Sequence, residues 1–141
     1  MVSSRIALKR VYEEASDSDA FRVLVDRLWP RGLTKAAARV DLWLRDLAPS
    51  NELRKWFHSN PEHWKEFRQK YLAELHTAAA EKALKQLYEV LDSQRSVTLL
   101  FGSRNTDQNN ATVLKEFVEG MKKPPKGTGD ERSRVPRRKR G

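Results

Sequence analysis

The sequence predicts a small three-layer α/β domain, with a mostly parallel sheet flanked by helices, followed by a disordered basic tail. Segments of β-forming apolar residues alternate with segments of helical periodicity, the order typical of a parallel sheet covered on both faces. The chain has 141 residues, which suits one domain. Apolar periodicity stops near residue 120, so we expect a single domain over 1–120 and disorder over 121–141.

Four segments are predicted to be strands or extended chain. Residues 5–11 alternate polar and apolar side chains, which indicates a half-buried strand near an edge of the sheet. Residues 21–28 are rich in β-formers and lead into a Trp-Pro-Arg-Gly turn, so we expect a central strand there. Residues 40–47 alternate again, and residues 96–101 form the clearest buried strand.

Helices are predicted between and after these strands. Thr34 is expected to cap a short helix over 35–39, and Ser50 a second helix over 51–57. Asn60 followed by Pro61 predicts the start of a third helix, because Asn caps and Pro suits the first helical position. The last helix is expected from about Gln108 to Glu119. The expected buried faces of the last three helices carry apolar side chains at spacings of three and four, namely Trp64, Phe67, Tyr71, Leu75; Ala80, Ala83, Leu84, Leu87, Leu91; and Ala111, Leu114, Phe117, Val118.

Positive charge is concentrated in the tail. Residues 121–141 contain nine Lys/Arg and two Asp/Glu, so they carry +7 of the net charge of +9. Residues 1–120 are therefore nearly neutral, and the high isoelectric point does not by itself indicate a nucleic-acid-binding domain. The positive charge of residues 122–140 is expected to attract nucleic acid. The attraction should be nonspecific, because the stretch has no aromatic residue for base stacking. The alternative is an incidental solubilising tail.

Several classes of chemistry are excluded by composition. The absence of cysteine excludes disulfides, thiolate catalysis, zinc–cysteine sites and iron–sulfur clusters. No apolar run approaches the roughly 20 residues that span a bilayer, and the N-terminus lacks a signal peptide, so we expect a cytoplasmic protein without membrane contact. The sequence has neither a Gly-rich phosphate loop nor a nucleophile elbow. Its three histidines are expected on a solvent-facing side of a helix, at a helix end and near a helix junction, which does not favour a shared metal. We predict no metal site, and the cofactor is left open.

Polar residues follow two of the predicted strands and define a candidate site. Ligands of open α/β sheets bind outside the carboxyl ends of the strands, and parallel strands bring those ends to one edge. Asp26 is the candidate acid/base there. The candidate ligand-binding residues are Arg27, Trp29, Arg31, Arg104, Asn105, Asn109 and Asn110. The three arginines could converge on one anion, and the alternative is that they form structural ion pairs and an ordinary turn.

The stretch from Arg22 to Gly32, with its Arg-Leu-Trp-Pro-Arg-Gly string, resembles the signature of the YeaO-like family. That family belongs to a broader bacterial and archaeal group of domains of unknown function. Residues 41–50, 53–57 and 97–101 also fit, and the resemblance covers roughly residues 5–119. It implies a small three-layer α/β protein and brings no established reaction with it.

One position departs from the family pattern. Related sequences commonly carry an Asn-His pair at the start of the last helix, where this chain has Asn109 and Asn110. An amide can donate and accept hydrogen bonds but cannot titrate near neutral pH. A general-base role at position 110 is therefore in doubt, whereas a binding role survives.

Three functions remain open from the sequence. The first is an uncharacterised protein that binds an anionic or phosphate-bearing small molecule at the carboxyl edge of its sheet, with catalysis unproven. The second is a nucleic-acid-associated accessory protein that acts through its basic tail. The third is a structural or partner-binding module. Whether the protein is an enzyme, and its oligomeric state, are left open.

Overall fold

A four-stranded, fully parallel sheet in the order β1-β4-β2-β3 forms the centre of the molecule. The structure, a computed structural model, describes residues 5–120. The strands are β1 (Ile6–Arg10), β2 (Phe21–Leu24), β3 (Leu42–Trp43) and β4 (Val97–Phe101). The predicted α/β fold with a parallel sheet is confirmed. The predicted tail, 121–141, lies outside the described residues.

Five helices accompany the sheet over the described range. They are α1 (Lys35–Ala38), α2 (Asn51–Ser59), α3 (Trp64–Glu74), α4 (Ala78–Ser93) and α5 (Asn110–Gly120). The predicted caps of α1 and α2 are confirmed, because the side chains of Thr34 and Ser50 accept backbone N–H groups three residues ahead. Short 3₁₀ turns cover Asp17–Asp19 and Arg45–Leu47.

The helices are divided unequally between the two faces of the sheet. Alternate strand residues such as Val23 and Leu99 pack with buried side chains of α2, α3, α4 and α5 in the main core. Leu24 and Leu100 point to the opposite face, where they pack with Ala38 of α1 in a smaller cluster. The sheet is therefore the middle of three layers. The thick cover contains α2, α3, α4 and α5, and the thin cover contains α1.

The order of the strands explains this division. The chain moves from β1 to β2 to β3 in one direction across the sheet, and returns from β3 to β4 in the other. Parallel crossovers are almost always right-handed, so a reversal of direction moves the connection to the opposite face. The two short connections lie on the thin side, and the long return with α2, α3 and α4 lies on the thick side.

Two predicted strands are shorter than expected. β2 ends at Leu24 instead of residue 28, because the chain leaves the sheet once the side chain of Asp26 takes the N–H group of Gly102. β3 contains only two of the eight residues predicted for 40–47. Its neighbour in the described sheet, β2, ends at Leu24 and so provides no further backbone groups for pairing beyond Trp43. The chain then turns into the 3₁₀ segment Arg45–Leu47.

The predicted start of α3 at Asn60 and Pro61 is wrong. Asn60 instead closes α2, because its Nδ2 donates to the carbonyl oxygen of Trp56 at 2.8 Å and its N–H to that of Phe57 at 3.0 Å. α3 begins only at Trp64. The predicted buried stripe of this helix is confirmed for Phe67, Tyr71 and Leu75, whereas Trp64 is half-buried. In α5, Phe117 is likewise half-buried and not fully enclosed.

Candidate functional site

The carboxyl ends of the two central strands meet at the side chain of Asp26. The N–H group of Gly102, just after β4, donates to Asp26 Oδ2 at 2.8 Å. Asn110 Nδ2, at the start of α5, donates to Asp26 Oδ1 at 3.1 Å and to the carbonyl oxygen of Val25 at 2.9 Å. The loops after β2 and β4, whose adjacency the sequence left open, are thus joined through one carboxylate.

The topology of the sheet makes this meeting point the expected position of a ligand. After β2 the chain continues towards the thin cover, whereas after β4 it enters α5 on the thick side. Adjacent parallel strands whose following connections leave on opposite faces form the usual ligand position of open α/β sheets. The topology therefore places Asp26 where a ligand-binding group is expected.

Burial raises the pKa of the Asp26 carboxyl above its ordinary value of 3.8. The hydrogen bonds from Gly102 and Asn110 and the positive charge of Arg54 act in the opposite direction, but they do not outweigh burial. A carboxyl group in this state keeps its proton to a higher pH than an exposed aspartate. It can accept hydrogen bonds when ionised and donate one when protonated.

Gly102 is required by the close approach of the two loops. A Cβ atom at this position would lie 3.1 Å from Asp26 Oδ2 and 3.7 Å from Tyr12 Cε2. A larger residue would therefore press on the carboxylate that the Gly102 N–H group holds.

Arg27 contacts backbone and not a carboxylate. Its Nε donates to the carbonyl oxygen of Pro49 at 3.0 Å and its Nη2 to that of Ala48 at 3.2 Å. These bonds fasten the loop after β2 to the segment that leads into α2. They explain the position of the guanidinium without a bound anion.

Trp29 forms a wall of the same loop. Its Nε1 donates to the carbonyl oxygen of Leu33 at 2.7 Å, and its ring meets that of Trp43 edge-on at 5.5 Å. Trp43 Nε1 in turn donates to the carbonyl oxygen of Asp26 at 2.7 Å. The two indoles therefore support the backbone that carries the buried carboxyl.

Arg31 and Arg104 are exposed, and within residues 5–120 neither side chain forms an ion pair. Only the backbone of Arg31 is engaged, where its carbonyl oxygen accepts the Tyr12 hydroxyl at 3.1 Å. The three predicted arginines thus differ in environment, one being tied to carbonyl groups and two extending into solvent.

Asn105 and Asn109 shape the second loop. Asn105 Oδ1 accepts the N–H groups of Asp107 and Gln108, both at 2.9 Å, and its carbonyl oxygen accepts Asn109 Nδ2 at 2.9 Å. Asn109 Oδ1 accepts the N–H group of Thr112 at 3.0 Å, while its own N–H donates to Thr112 Oγ1 at 3.2 Å. This reciprocal cap starts α5 and directs Asn110 at Asp26.

Arg54 is a site residue that the sequence interpretation missed. Its Nε is buried and has no hydrogen-bond partner among the described residues, although its Nη2 donates to Asn51 Oδ1 at 3.3 Å. Its charge is close enough to lower the pKa of Asp26, yet the two form no ion pair. The available signal was the Ser50 cap, which starts α2 after the end of β3 and hence at the same edge of the sheet.

Tyr71 and Glu74 of α3 form the inner wall of this region. Tyr71 is fully buried, and its hydroxyl donates to the carbonyl oxygen of Leu47. Burial raises its pKa, as do the carboxylates of Asp26 and Glu74, so the phenol stays protonated. Glu74 accepts the N–H group and the hydroxyl of Ser50 at 2.7 and 2.6 Å. Both residues hold the start of α2, and through it Arg54, against the core.

Residues 5–120 contain neither a cluster of metal-binding side chains nor a membrane-spanning helix. Within 5–120, no three His, Asp or Glu side chains are gathered closely enough to hold a metal ion. Over the same range, no helix has the length and apolar content needed to cross a bilayer.

The chain matches the family model described as "Inactive DUF488-N3 subclade" over residues 5–136, so the similarity runs further than residue 119, where we had predicted its end. It is 44% identical over 116 residues to "Uncharacterized protein YeaO" of Escherichia coli (strain K12), covering 82% of this chain and 98% of the relative. It is 40% identical over 117 residues to "Uncharacterized protein Rv3073c" of Mycobacterium tuberculosis (strain ATCC 25618 / H37Rv), covering 83% and 96%. No solved structure matches. The chain therefore belongs to the family described as "Inactive DUF488-N3 subclade", among YeaO-like proteins.

Proposed function

We propose that the domain binds a small molecule bearing an oxyanion at the carboxyl edge of its sheet, and that it does so without chemically changing the ligand. The observation that carries this proposal is the buried Nε of Arg54, which has no acceptor in the described part of the chain and lies near Asp26. A buried charged donor without a partner is costly and calls for one. A phosphate or carboxylate is the acceptor that a guanidinium fits best.

Asp26 has a binding role in this proposal. Each of its oxygens accepts one hydrogen bond from the protein, which leaves each a free lone pair for a polar group of the ligand. The oxyanion would contact Arg54 after the side chain turns Nε, which is closed to solvent in this structure, towards the ligand. A donor group of the same molecule would contact Asp26. The pair then recognises a ligand that carries both kinds of group.

Two features support binding without turnover. Asn110, which contacts the carboxyl of Asp26, carries an amide that does not titrate near neutral pH and so cannot act as a general acid or base. The family to which the chain belongs is described as inactive. Arg31 and Arg104 would act from outside by attracting anions to this edge through their exposed charges. Arg27 and Trp29 would hold the loop in shape.

Calorimetric titration of the protein with ribose 5-phosphate tests the anion site. Arg54→Gln removes the charge but keeps a polar side chain, so we expect it to weaken binding at least about tenfold, the loss typical of a charge-assisted hydrogen bond. Arg95→Gln is the matched control, because Arg95 is exposed and lies before the amino end of β4, at the opposite edge of the sheet. Equal affinities for the two variants would overturn the assignment.

A second candidate function concerns residues 122–140. Their concentration of Lys and Arg favours nonspecific attraction of nucleic acid, with an affinity that falls steeply as salt rises. In this proposal the domain over 1–120 and the tail over 121–141 act separately, in the cytoplasm. If the protein binds neither ribose 5-phosphate nor nucleic acid, a structural or partner-binding role is favoured instead.

A further inference from the structure

Tyr12 presents an exposed aromatic ring at the edge of the candidate site. Among the described residues, Tyr12 and Leu28 are the two large apolar side chains that are well exposed, at 42% and 56%. Both follow strands at the carboxyl edge, Tyr12 just after β1 and Leu28 after β2. The ring is therefore placed where ligands approach this fold.

The ring of Tyr12 is held in place although it is exposed. Its hydroxyl donates to the carbonyl oxygen of Arg31 at 3.1 Å, and the guanidinium of Arg10 lies 5.1 Å from the ring centre. Arg10 is itself fixed by donating to the carbonyl oxygens of Ser103 at 2.8 Å and Gly102 at 3.1 Å. A ring fixed before binding loses little conformational entropy when it stacks against a partner.

The ring of Tyr12 and the carboxyl of Asp26 both lie close to Gly102. The position that a Cβ atom would take at Gly102 is 3.7 Å from the ring edge of Tyr12 and 3.1 Å from Asp26 Oδ2. The separation of ring and carboxylate therefore cannot exceed the sum of these two distances. One small planar molecule can reach both groups across the glycine.

We propose that the ligand is a planar nitrogen heterocycle joined to an oxyanion, the chemistry of a nucleoside monophosphate. The ring stacks on Tyr12, its N–H groups donate to the free lone pairs of Asp26, and the phosphate contacts Arg54. This inference rests on the proposed anion site and adds the identity of the remainder of the ligand. A single fixed ring fits one base, whereas a nucleic-acid strand needs a row of stacking platforms.

The test is titration of the full chain with the adenosine, guanosine, cytidine and uridine 5′-monophosphates, each compared with ribose 5-phosphate. We expect at least one nucleotide to bind about tenfold or more tightly than ribose 5-phosphate, the gain that stacking of one base provides. Tyr12→Leu should remove this preference and leave the affinity for ribose 5-phosphate unchanged. Tyr12→Phe keeps the ring and loses only the hydroxyl, so it should retain most of the preference.

The outcomes separate the two proposals. If ribose 5-phosphate binds through Arg54 but no nucleotide binds more tightly, the heterocycle proposal is wrong and the anion site stands. If a nucleotide preference depends on Tyr12 but Arg54→Gln changes no affinity, the anion site is wrong. A single-stranded oligonucleotide could also bind more tightly than any mononucleotide and lose this advantage in Tyr12→Leu. That result would overturn the proposal of a mononucleotide ligand and would indicate a nucleic-acid strand.

Discussion

Asp19 and Asp26 are both enclosed by the fold, yet their pKa values move in opposite directions. Burial alone raises the pKa of each. For Asp19, the hydrogen bonds from Ser16, Lys9 and Arg22 and the charge of Lys9 outweigh burial and lower the pKa. Asp26 has only a backbone N–H group, an amide and a more distant charge, and its pKa rises. Asp19 is held as a structural anion, whereas Asp26 remains available to a ligand.

This contrast predicts how stability depends on pH. A carboxyl with a raised folded-state pKa contributes its full stability below the unfolded value of 3.8, and loses it as pH rises through the folded value. The unfolding free energy of the protein relative to Asp26→Asn should therefore fall as the pH rises above 3.8. Urea denaturation of both chains across this range measures it, and a difference that grows with pH would contradict the raised pKa.

Asp19→Asn is the matched comparison at the residue scale. Its folded-state pKa is lowered, so its contribution is present above 3.8 and is lost as pH falls through the folded value. The unfolding free energy of the protein relative to Asp19→Asn should thus rise with pH in the acid range. Curves of the same slope for the two variants would show that the environments of the two carboxyl groups had been wrongly distinguished.

Arg22 joins secondary-structure elements on the thin side of the sheet. Its side chain is 2% exposed and donates to Asp19, to the carbonyl oxygen of Ala38 at 2.7 Å and to that of Arg39 at 3.0 Å. These carbonyls end α1, where Arg39 adopts a left-handed conformation with φ of 48°. One guanidinium therefore closes a helix and neutralises a buried carboxylate.

Replacing this residue should be strongly destabilising. Arg22→Met removes three donors and leaves Lys9 as the one ion-pair partner of Asp19 among residues 5–120, so we expect a loss of about 3–5 kcal/mol in unfolding free energy. Urea denaturation measures the loss. Arg39→Gln is the control, because its pair with Asp17 is exposed and should be worth less than about 1 kcal/mol. Similar losses for both variants would refute the structural role of Arg22.

The cap of α5 gives a second prediction at the level of elements. Asn109→Ala removes the acceptor for the Thr112 N–H group and should cost about 1–2 kcal/mol of stability. It should also weaken ribose 5-phosphate binding, because α5 positions Asn110 on Asp26. Asn109→Asp keeps the acceptor and should recover part of both losses. If Asn109→Asp is stable but binds ribose 5-phosphate more weakly than Asn109→Ala does, Asn109 instead contacts the anion directly.

Local patterns predicted most elements, since periodicity and capping depend on neighbours in sequence. The contact between Asp26 and Asn110 in the candidate site could be predicted from topology. In a parallel sheet, the carboxyl ends of neighbouring strands lie at one edge. Asn60 shows the limit of local reasoning, since it could cap the next helix or close the previous one, and only the Trp56 carbonyl group decides. The Ser50 cap could have placed Arg54 at this edge, but its unpaired Nε could not be predicted, because a donor without a partner is defined by everything that surrounds it in space.

At the scale of the whole molecule, charge divides the chain into a nearly neutral part and a basic tail. Side chains from the strands and helices of residues 5–120 form both the main and the minor core, so we expect removal of residues 121–141 to leave the unfolding midpoint unchanged. The same truncation should abolish binding of the full chain to a labelled oligonucleotide at low salt, because it removes +7 of the net charge. Retention of binding by the shortened chain would place a nucleic-acid site on the domain.

The register of the sheet has a consequence for synthesis on the ribosome. β1 is synthesised before the other described strands, but in the described sheet its only neighbour is β4, where Ile6 pairs with Val97. β4 also separates β1 from β2, so the sheet cannot close until nearly the whole domain has been translated. Such distant pairings fold slowly and leave an early apolar strand without its partner. During translation, β1 is the segment most in need of shielding, by a chaperone or by the ribosome surface itself.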